Sequence, residues 1–235
     1  MEKWLSFFLL FGVIFTIFHC TKGVNTIERR PPPVILVPSV PDTCRVERGM
    51  DAVPEEDAIR VEWIPSSDEL VDTYEVYRAV EEKGSYNVIA AVSDSFFIDR
   101  SVSLNSRYFY YVLAVSDEGV KSEPSDTLNY MLIEKAKNLL PKSSATSCRP
   151  VFSWEDPNGE YAYIVRLVDV ASQKYVWLSV VPSTYSARES VAFNEDQSAT
   201  VDSLSSGSYY TWRVDVVSSK DHCGSESQWV TFRVQ

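Results

Sequence analysis

The sequence has few of the residues that catalytic and phosphate-binding sites need. It contains 2 histidines and 8 glycines, and no glycine-rich phosphate loop occurs. Ser-His-Asp and Cys-His catalysis needs an imidazole that moves a proton. Beyond the hydrophobic N-terminus only His222 remains, and its sequence neighbour Cys223 would point away from it in an extended segment. Paired carboxylates can hydrolyse glycosides without histidine, but small filled domains lack the necessary cleft. We therefore expect no enzymatic activity and no cofactor.

Excess positive charge is also missing. The formal net charge is -11 and the isoelectric point is near 4.7. Because binding to nucleic acid depends on Lys and Arg that neutralise phosphates, this balance argues against a nucleic acid partner. A metal site is not expected either, since no C-x-x-C pair occurs and His222 has no second pair of ligands around it.

The N-terminus carries the long hydrophobic run of the sequence, from Trp4 to Phe18 after Lys3. A run of this length suits the central region of a signal peptide and is short of the roughly 20 residues that a spanning helix needs. It ends in "IFHC", which resembles the lipobox of bacterial lipoproteins, with Ile17 three positions before Cys20. The resemblance implies lipid attachment at Cys20. The alternatives are ordinary signal peptidase cleavage near Thr21–Gly23 and an uncleaved anchor, and in all three cases the rest of the chain is exported.

Export permits disulfide bonds. The sequence has four cysteines, and with Cys20 lipidated three remain, which allow three alternative single pairings. Cys148 and Cys223 fall in the same predicted domain, so we favour that pair over those that involve Cys44.

Proline is concentrated after the N-terminal run, with five prolines between Pro31 and Pro41. Prolines favour an extended backbone and remove hydrogen-bond donors. We predict a proline-rich linker at 20–40, which would act as a stalk.

The rest of the chain predicts β-strands. "AIRVEWIP" and "DTYEVYRAV" alternate apolar and polar residues, and similar segments follow every 8 to 15 residues or so, separated by turn residues. This pattern is typical of an antiparallel sandwich. A helix-like patch from Ile133, "IEKAKNLLPKSS", is stopped by Pro141 and is interpreted as a connector.

The strand series occurs twice. Trp63 and Trp154 each end a strand that precedes a tyrosine-containing strand, at Tyr74 and Tyr163. Later aromatic strands lead to serine-rich turns in both halves. We predict an all-β protein with two tandem sandwiches, and we assign Trp63, Trp154 and Trp212 to the cores.

"IRVEW", "YEVYRA" and "SRYFYYVLAVSDEGVKSEPSD" resemble strands B, C and F to G of a fibronectin type III domain. The resemblance implies that Trp63 is the core indole, that Tyr74 and Val76 point inward, and that Tyr108 forms the corner hydrogen bond of the family. The second half resembles the family more loosely, through "FSWEDP" and "SLSSGSYYTWRVDVV", and has an extra aromatic strand around Trp177. The predicted division is a signal peptide at 1–19, the linker at 20–40, a fibronectin type III domain at 41–132, a connector at 133–140 and a diverged second domain at 141–235.

These features predict a non-catalytic lipoprotein of the cell envelope, in the periplasm or at the cell surface. Its expected role is adhesion, scaffolding or spacing, with the membrane and unidentified envelope proteins or glycans as partners. The F–G loop "SDEGVKS" lacks Arg-Gly-Asp, and "SESQW" is a fragment of the paired Trp-Ser motif of cytokine receptors. The alternative is a secreted carbohydrate-binding module. Exposed aromatics of the second domain would then stack on sugars, and Trp177, Tyr209 and Trp229 are the candidates.

Overall fold

The structure, a computed structural model, describes residues 29–41, 43–156 and 161–235. These residues form strands and loops, which confirms the all-β prediction. The predicted signal peptide, Cys20 and the start of the linker lie outside the described residues. Within the described part of the chain, no helix is long and apolar enough to cross a membrane.

The first domain contains eight strands in two layers. One layer pairs β1 and β2 with β3, which also pairs with β6. The other layer has the order β5-β4-β7-β8. The strands are β1 (Ile35–Leu36), β2 (Asp51–Ala52), β3 (Ile59–Ile64), β4 (Val71–Ala79), β5 (Asn87–Val92), β6 (Phe96–Asp99), β7 (Arg107–Ser116) and β8 (Leu128–Leu132).

The second domain repeats this plan with nine strands. A three-stranded layer has the order β14-β11-β9, and the opposite layer is built on β15, which pairs with β12, β16 and β17. The strands are β9 (Lys137–Leu140), β10 (Ser143–Ala145), β11 (Val151–Glu155), β12 (Ala162–Asp169), β13 (Lys174–Pro182), β14 (Arg188–Ala192), β15 (Tyr209–Val217), β16 (Cys223–Glu226) and β17 (Val230–Val234).

The two cores are organised around equivalent aromatic pairs. Trp63 on β3 packs against Tyr74 on β4 with ring centroids 5.3 Å apart, and Trp154 on β11 packs against Tyr163 on β12 at 5.2 Å. All four side chains are buried, as are Val76 and Trp212. The prediction that these residues face the cores is therefore confirmed, and the spatial match supports the internal repeat.

Each domain also has a tyrosine corner. The Tyr108 hydroxyl accepts a hydrogen bond from the backbone N–H of Ser103 at 2.9 Å, which confirms the role predicted for Tyr108. Tyr210 accepts the equivalent bond from the N–H of Ser205 at 3.0 Å. The donor lies five residues before the tyrosine in both cases, so both bonds fix the loop that leads into the long central strand.

Two predicted boundaries require correction. Part of the predicted linker belongs to the first sandwich, because Ile35–Leu36 pairs with β3 and both Val34 and Leu36 are buried. The prolines are tolerated there because β1 is an edge strand. Part of the predicted connector is β9, which pairs with β11 and buries Leu139 in the second core. The stalk and the connector are thus shorter than the sequence indicated.

Candidate functional site: the joint between the domains

The two domains share one sheet. Strand β8 of the first domain and β16 of the second pair in parallel, with Met131 opposite Cys223 and Leu132 opposite Gly224. The N–H groups of Met131 and Ile133 donate to the carbonyl oxygens of His222 and Gly224, at 2.9 and 3.2 Å. A single ten-stranded sheet therefore runs through both domains, where the sequence predicted two separate sandwiches in tandem.

Beside this ladder, the outer face of the second domain's sheet carries a buried cluster of charged side chains. The alternation that sends Trp212 and Val214 into the core turns Arg213 and Asp215 of β15 to the opposite face. Arg166 of β12 lies directly across from Arg213. Segment 43–49 of the first domain covers this face and contributes Glu47 and the carbonyl of Cys44. We call the group the joint cluster, and its members are Glu47, Arg166, Arg213, Asp215 and Glu226.

The hydrogen bonds of the cluster cross the joint at several points. Arg166 donates from Nη1 to the Cys44 carbonyl at 2.8 Å, and its Nε lies 3.0 Å from Glu47 Oε1. Arg213 donates from Nε to Asp215 Oδ1 at 2.8 Å and from Nη2 to Glu226 Oε1 at 2.7 Å. Arg213 also contacts Glu47, and Arg166 also contacts Asp215. Both arginines therefore bind Glu47 of the first domain and Asp215 of the second, and Arg213 also binds Glu226.

The cluster is shielded from water. The side chains of Arg166 and Arg213 are 1% exposed, and the ring of Trp229 lies 4.9 Å from the Arg213 guanidinium carbon. Burial raises the pKa of Glu226 to about 10 against the attraction of Arg213, and burial also raises the pKa of Glu47. Burial alone would lower the pKa of Arg213, but Asp215, Glu226 and Glu47 together raise it. Both arginines are therefore charged, while burial favours the protonated form of Glu226.

A lysine from the segment between the domains adds a second clamp. Lys135 Nζ donates to the carbonyl oxygens of Val53, Glu56 and Pro54, at 2.6, 2.7 and 3.1 Å. Its side chain is 14% exposed, and burial lowers its pKa. The segment between the domains is thus bound to a loop of the first domain. The clamp therefore restrains rotation of the two domains relative to each other.

Three carboxylates of the cluster, those of Glu47, Asp215 and Glu226, bring oxygen atoms within 4.8 Å of one another. That spacing would suit a cation, but two guanidinium groups already bind the same oxygens. The chemistry available to this site is therefore ion pairing between domains. A nucleophile or a general base in contact with open solvent is not part of it.

The aromatic residues proposed as ligand contacts have different environments. Trp177 is 1% exposed, packs against Phe152 and Phe193, and donates from Nε1 to Asp196 at 2.8 Å. Its ring has no accessible face, so its assignment as a ligand contact is wrong. Trp229 is half-buried over Arg213, as part of the joint. Of the three, Tyr209 is widely exposed, at 54%, with the Arg233 guanidinium beside its ring.

The favoured disulfide between Cys148 and Cys223 is not formed. Cys148 lies where β15 begins, because its carbonyl accepts from Leu204 N–H. Cys223 lies where β15 ends, next to the joint, since Gly224 pairs with Val217. At about 3.3 Å per residue the length of β15 separates them, and a disulfide requires Cα atoms within about 7 Å. The fact that both cysteines belong to one domain was therefore not sufficient to predict a disulfide bond between them.

The signal for the joint cluster was present but weak in the sequence. Arg166, Arg213 and Asp215 occupy outward positions of apolar strands, where solvated charges are the usual interpretation. Nothing in the sequence indicated that segment 43–49, over a hundred residues earlier in the chain, would cover them.

No protein-family model matches the sequence, and no curated protein is detectably similar to it. Solved structures of similar fold do exist. They include the FN1–FN3 domains of chicken CNTN1, with a TM-score of 0.41, 14% identity and coverage of 88% of this chain and 69% of that chain. A two-domain fibronectin type III segment of chicken tenascin matches with a TM-score of 0.30 and 18% identity, over 77% of this chain and 94% of that one.

A Fn3-like protein from Clostridium thermocellum matches over 38% of this chain and 93% of that chain, with a TM-score of 0.30 and 25% identity. These likenesses concern the fold. The layer order, the core tryptophans and the tyrosine corners, all described above, define both domains as fibronectin type III-like, as the sequence resemblance predicted.

Proposed function

We propose that this protein is a non-catalytic scaffold of the cell envelope, in which two fibronectin type III-like domains act as one rigid unit that presents partners at a fixed orientation. The observation that carries the proposal is the joint. A shared backbone ladder, the joint cluster and the Lys135 clamp all connect the domains. Domains of one chain usually move relative to each other unless their interface is large and hydrophobic. Here backbone hydrogen bonds and buried ion pairs across the joint oppose that motion, which favours a rigid spacer.

The proposed anchor is a lipid on Cys20. Acyl chains contribute about 0.8 kcal/mol for each buried CH₂, and stable anchoring takes more than one chain. The acidic surface, with a net charge of -11, would help to keep the unit away from anionic lipid heads. Envelope proteins or glycans would then be bound by the loops and the sheet faces that point away from the membrane.

Residual dipolar couplings of the full-length chain, labelled with ¹⁵N and dissolved in detergent, test the rigid unit. Amides of β7 and β15 should fit one common alignment tensor, because the two strands belong to one sheet. Separate tensors of different magnitude for the two domains would contradict the proposal. The Asp215→Asn variant, in which the joint cluster loses a carboxylate, should give a poorer common fit than Asp117→Asn, a matched change on an exposed loop.

Intact mass tests the anchor. Protein extracted from the membranes of a bacterial host should begin at Cys20 and carry acyl mass, and a Cys20→Ala version should carry none. A soluble chain that begins near Val24 and is unaffected by the substitution would exclude the anchor and favour secretion.

The alternative function, a secreted carbohydrate-binding module, is supported by the exposed ring of Tyr209 alone among its three candidate aromatics. In that case Tyr209→Ala should abolish retention on an immobilised glycan, while Tyr185→Ala, a matched change at a residue that is 73% exposed, should not. Equal retention of both variants, or no retention of the parent chain, would exclude it.

A further inference from the structure

The joint cluster has more negative than positive charge. Among the described residues, two buried guanidinium groups face three carboxylates. Close to Glu226, Asp51 of β2 adds a further negative charge and Lys135 a further positive charge, so these two leave the difference unchanged. An excess charge that is excluded from water is costly unless it is neutralised. The cluster is therefore one positive charge short if all of its carboxyl groups are ionised.

The position of the missing positive charge follows from the contact between two acidic side chains. Glu226, from the second domain, and Glu47, from the first, both lie against Nη2 of Arg213, and oxygen atoms of the two carboxyl groups come within 4.8 Å of each other. Two ionised carboxylates this close repel each other, and a proton held by one of them removes the repulsion and can be donated to the other. Glu226 is the donor, since its side chain is 7% exposed and that of Glu47 is 29% exposed.

We propose that a proton shared between Glu226 and Glu47 closes the joint, and that the joint opens when this proton is lost at alkaline pH. The inference rests on the proposed function in that it concerns regulation of the same rigid unit. The proton completes a network that is otherwise made by Arg213, Arg166 and Asp215, and it acts on a pair of acids that spans the two domains.

The direction of the pH dependence follows from the protonation of the closed and open states. A carboxyl whose pKa is raised by burial, from an ordinary value of 4.5 to about 10 for Glu226, holds more protons in the closed state between those values. The contribution of this proton to closure is therefore complete below about pH 4.5, and it declines as the pH rises towards 10. The charged groups that face Glu226 are Arg213 and Asp215 from β15, Arg166 from β12, Glu47, Asp51 and Lys135.

Hydrogen–deuterium exchange of the full-length chain in detergent tests this directly. The N–H groups of Met131 and Ile133 donate across the joint, so a peptide covering 128–134 reports on its opening. Protection is measured at pH 7, 8 and 9, with exchange times scaled for the faster intrinsic exchange at higher pH. We expect protection of this peptide to fall by up to about tenfold per pH unit, while a peptide covering 108–115 in the first core stays unchanged.

Two variants separate the shared proton from other titrating groups. Glu226→Gln places a permanent N–H donor where the protonated acid would be, so it should retain full protection at pH 9. Glu155→Gln, a matched change at a side chain that is 47% exposed, should behave as the wild type. The cysteines and His222 are present in both variants, so their titration cannot produce a difference between them.

The outcomes distinguish this inference from the proposed function. Protection of 128–134 that is equal at pH 7 and 9 in the wild type overturns the shared proton and leaves the rigid unit intact. This result is decisive even if Glu226→Gln does not fold. No protection at pH 7 overturns the rigid unit itself. Recovery of protection at pH 9 on addition of calcium chloride would assign the position to a cation and overturn the proton.

Discussion

The two sandwich cores and the arginines of the joint cluster are equally shielded from water, but the cores and the cluster are built from opposite chemistry. The cores consist of aromatic and branched side chains, with Trp63, Trp154 and Trp212 at 1% exposure or less. The joint consists of arginine and carboxylate side chains at similar burial. A core gains stability from the apolar area removed from water, whatever the direction of its contacts. The joint cluster has no such gain, although Met131 and Ile133 beside it pack into the second core, and its charges are satisfied in one arrangement.

The difference indicates how one chain can have two robust domains and a defined angle between them. Apolar contact between the domains would hold them together over a range of angles, since it is not directional. Charged hydrogen bonds from both arginines to carboxylates of both domains restrict that range. We infer that the cores determine whether the domains fold and that the joint cluster determines how they are oriented.

The largest expected effect lies in a core. Trp212→Ala removes an indole that packs edge-on against Phe152 at 4.7 Å and donates to the Pro141 carbonyl at 3.0 Å. Truncation of a buried tryptophan leaves a cavity, so we expect a loss of about 3–5 kcal/mol in the free energy of unfolding. Urea unfolding followed by circular dichroism measures it. Val151→Ala, at a side chain that is 59% exposed, serves as the control and should change stability by less than about 0.5 kcal/mol.

A loss below about 1 kcal/mol for Trp212→Ala would mean that the second core can collapse around the cavity. The contrast between a packed core and a charged joint would then need revision, because the core would be the more adaptable of the two.

The next effect lies in the joint. Asp215→Asn removes the carboxylate that both Arg166 and Arg213 contact. Leaving buried guanidinium groups without a counter-charge typically costs about 3–5 kcal/mol. We expect about 2–3 kcal/mol in urea unfolding, because Glu226 can lose its proton and restore part of the missing negative charge. Asp117→Asn on the exposed F–G loop is the control and should have almost no effect.

Comparable stability of Asp215→Asn and Asp117→Asn would show that the joint cluster contributes nothing measurable. The orientation of the domains would then have to be fixed by the β8–β16 ladder and the Lys135 clamp alone.

The same contrast explains what the sequence could and could not predict. Alternation of apolar residues identified the strands, and the positions of Trp63 and Tyr74 identified the core, because these are local patterns with a period of two. Tyr108 was assigned through its place in a motif. All of this information lies within short segments of the chain.

The joint could not be predicted in that way. Glu47 contacts Arg213, which is 166 positions later in the sequence, and no local pattern connects them. The favoured disulfide failed for the same reason, since spacing along the chain does not show that Cys148 and Cys223 lie at opposite ends of β15. Trp177 was misassigned because an aromatic residue on an extra strand was interpreted as exposed, whereas Phe152 and Phe193 cover it.

The smallest expected effect concerns the two tyrosine corners, which allow the domains to be compared with each other. Tyr108→Phe and Tyr210→Phe each remove a hydroxyl that accepts one backbone N–H, at 2.9 and 3.0 Å. A typical hydrogen bond contributes about 1 kcal/mol, so each variant should lose about that amount in urea unfolding. Tyr185→Phe, at a residue that is 73% exposed, should lose nothing.

Because the two bonds have the same geometry and the same five-residue spacing, equal losses would extend the internal repeat from structure to energetics. If Tyr210→Phe is neutral and Tyr108→Phe is destabilising, the loop of the diverged second domain is held by other contacts, such as the bond from Leu204 N–H to the Cys148 carbonyl.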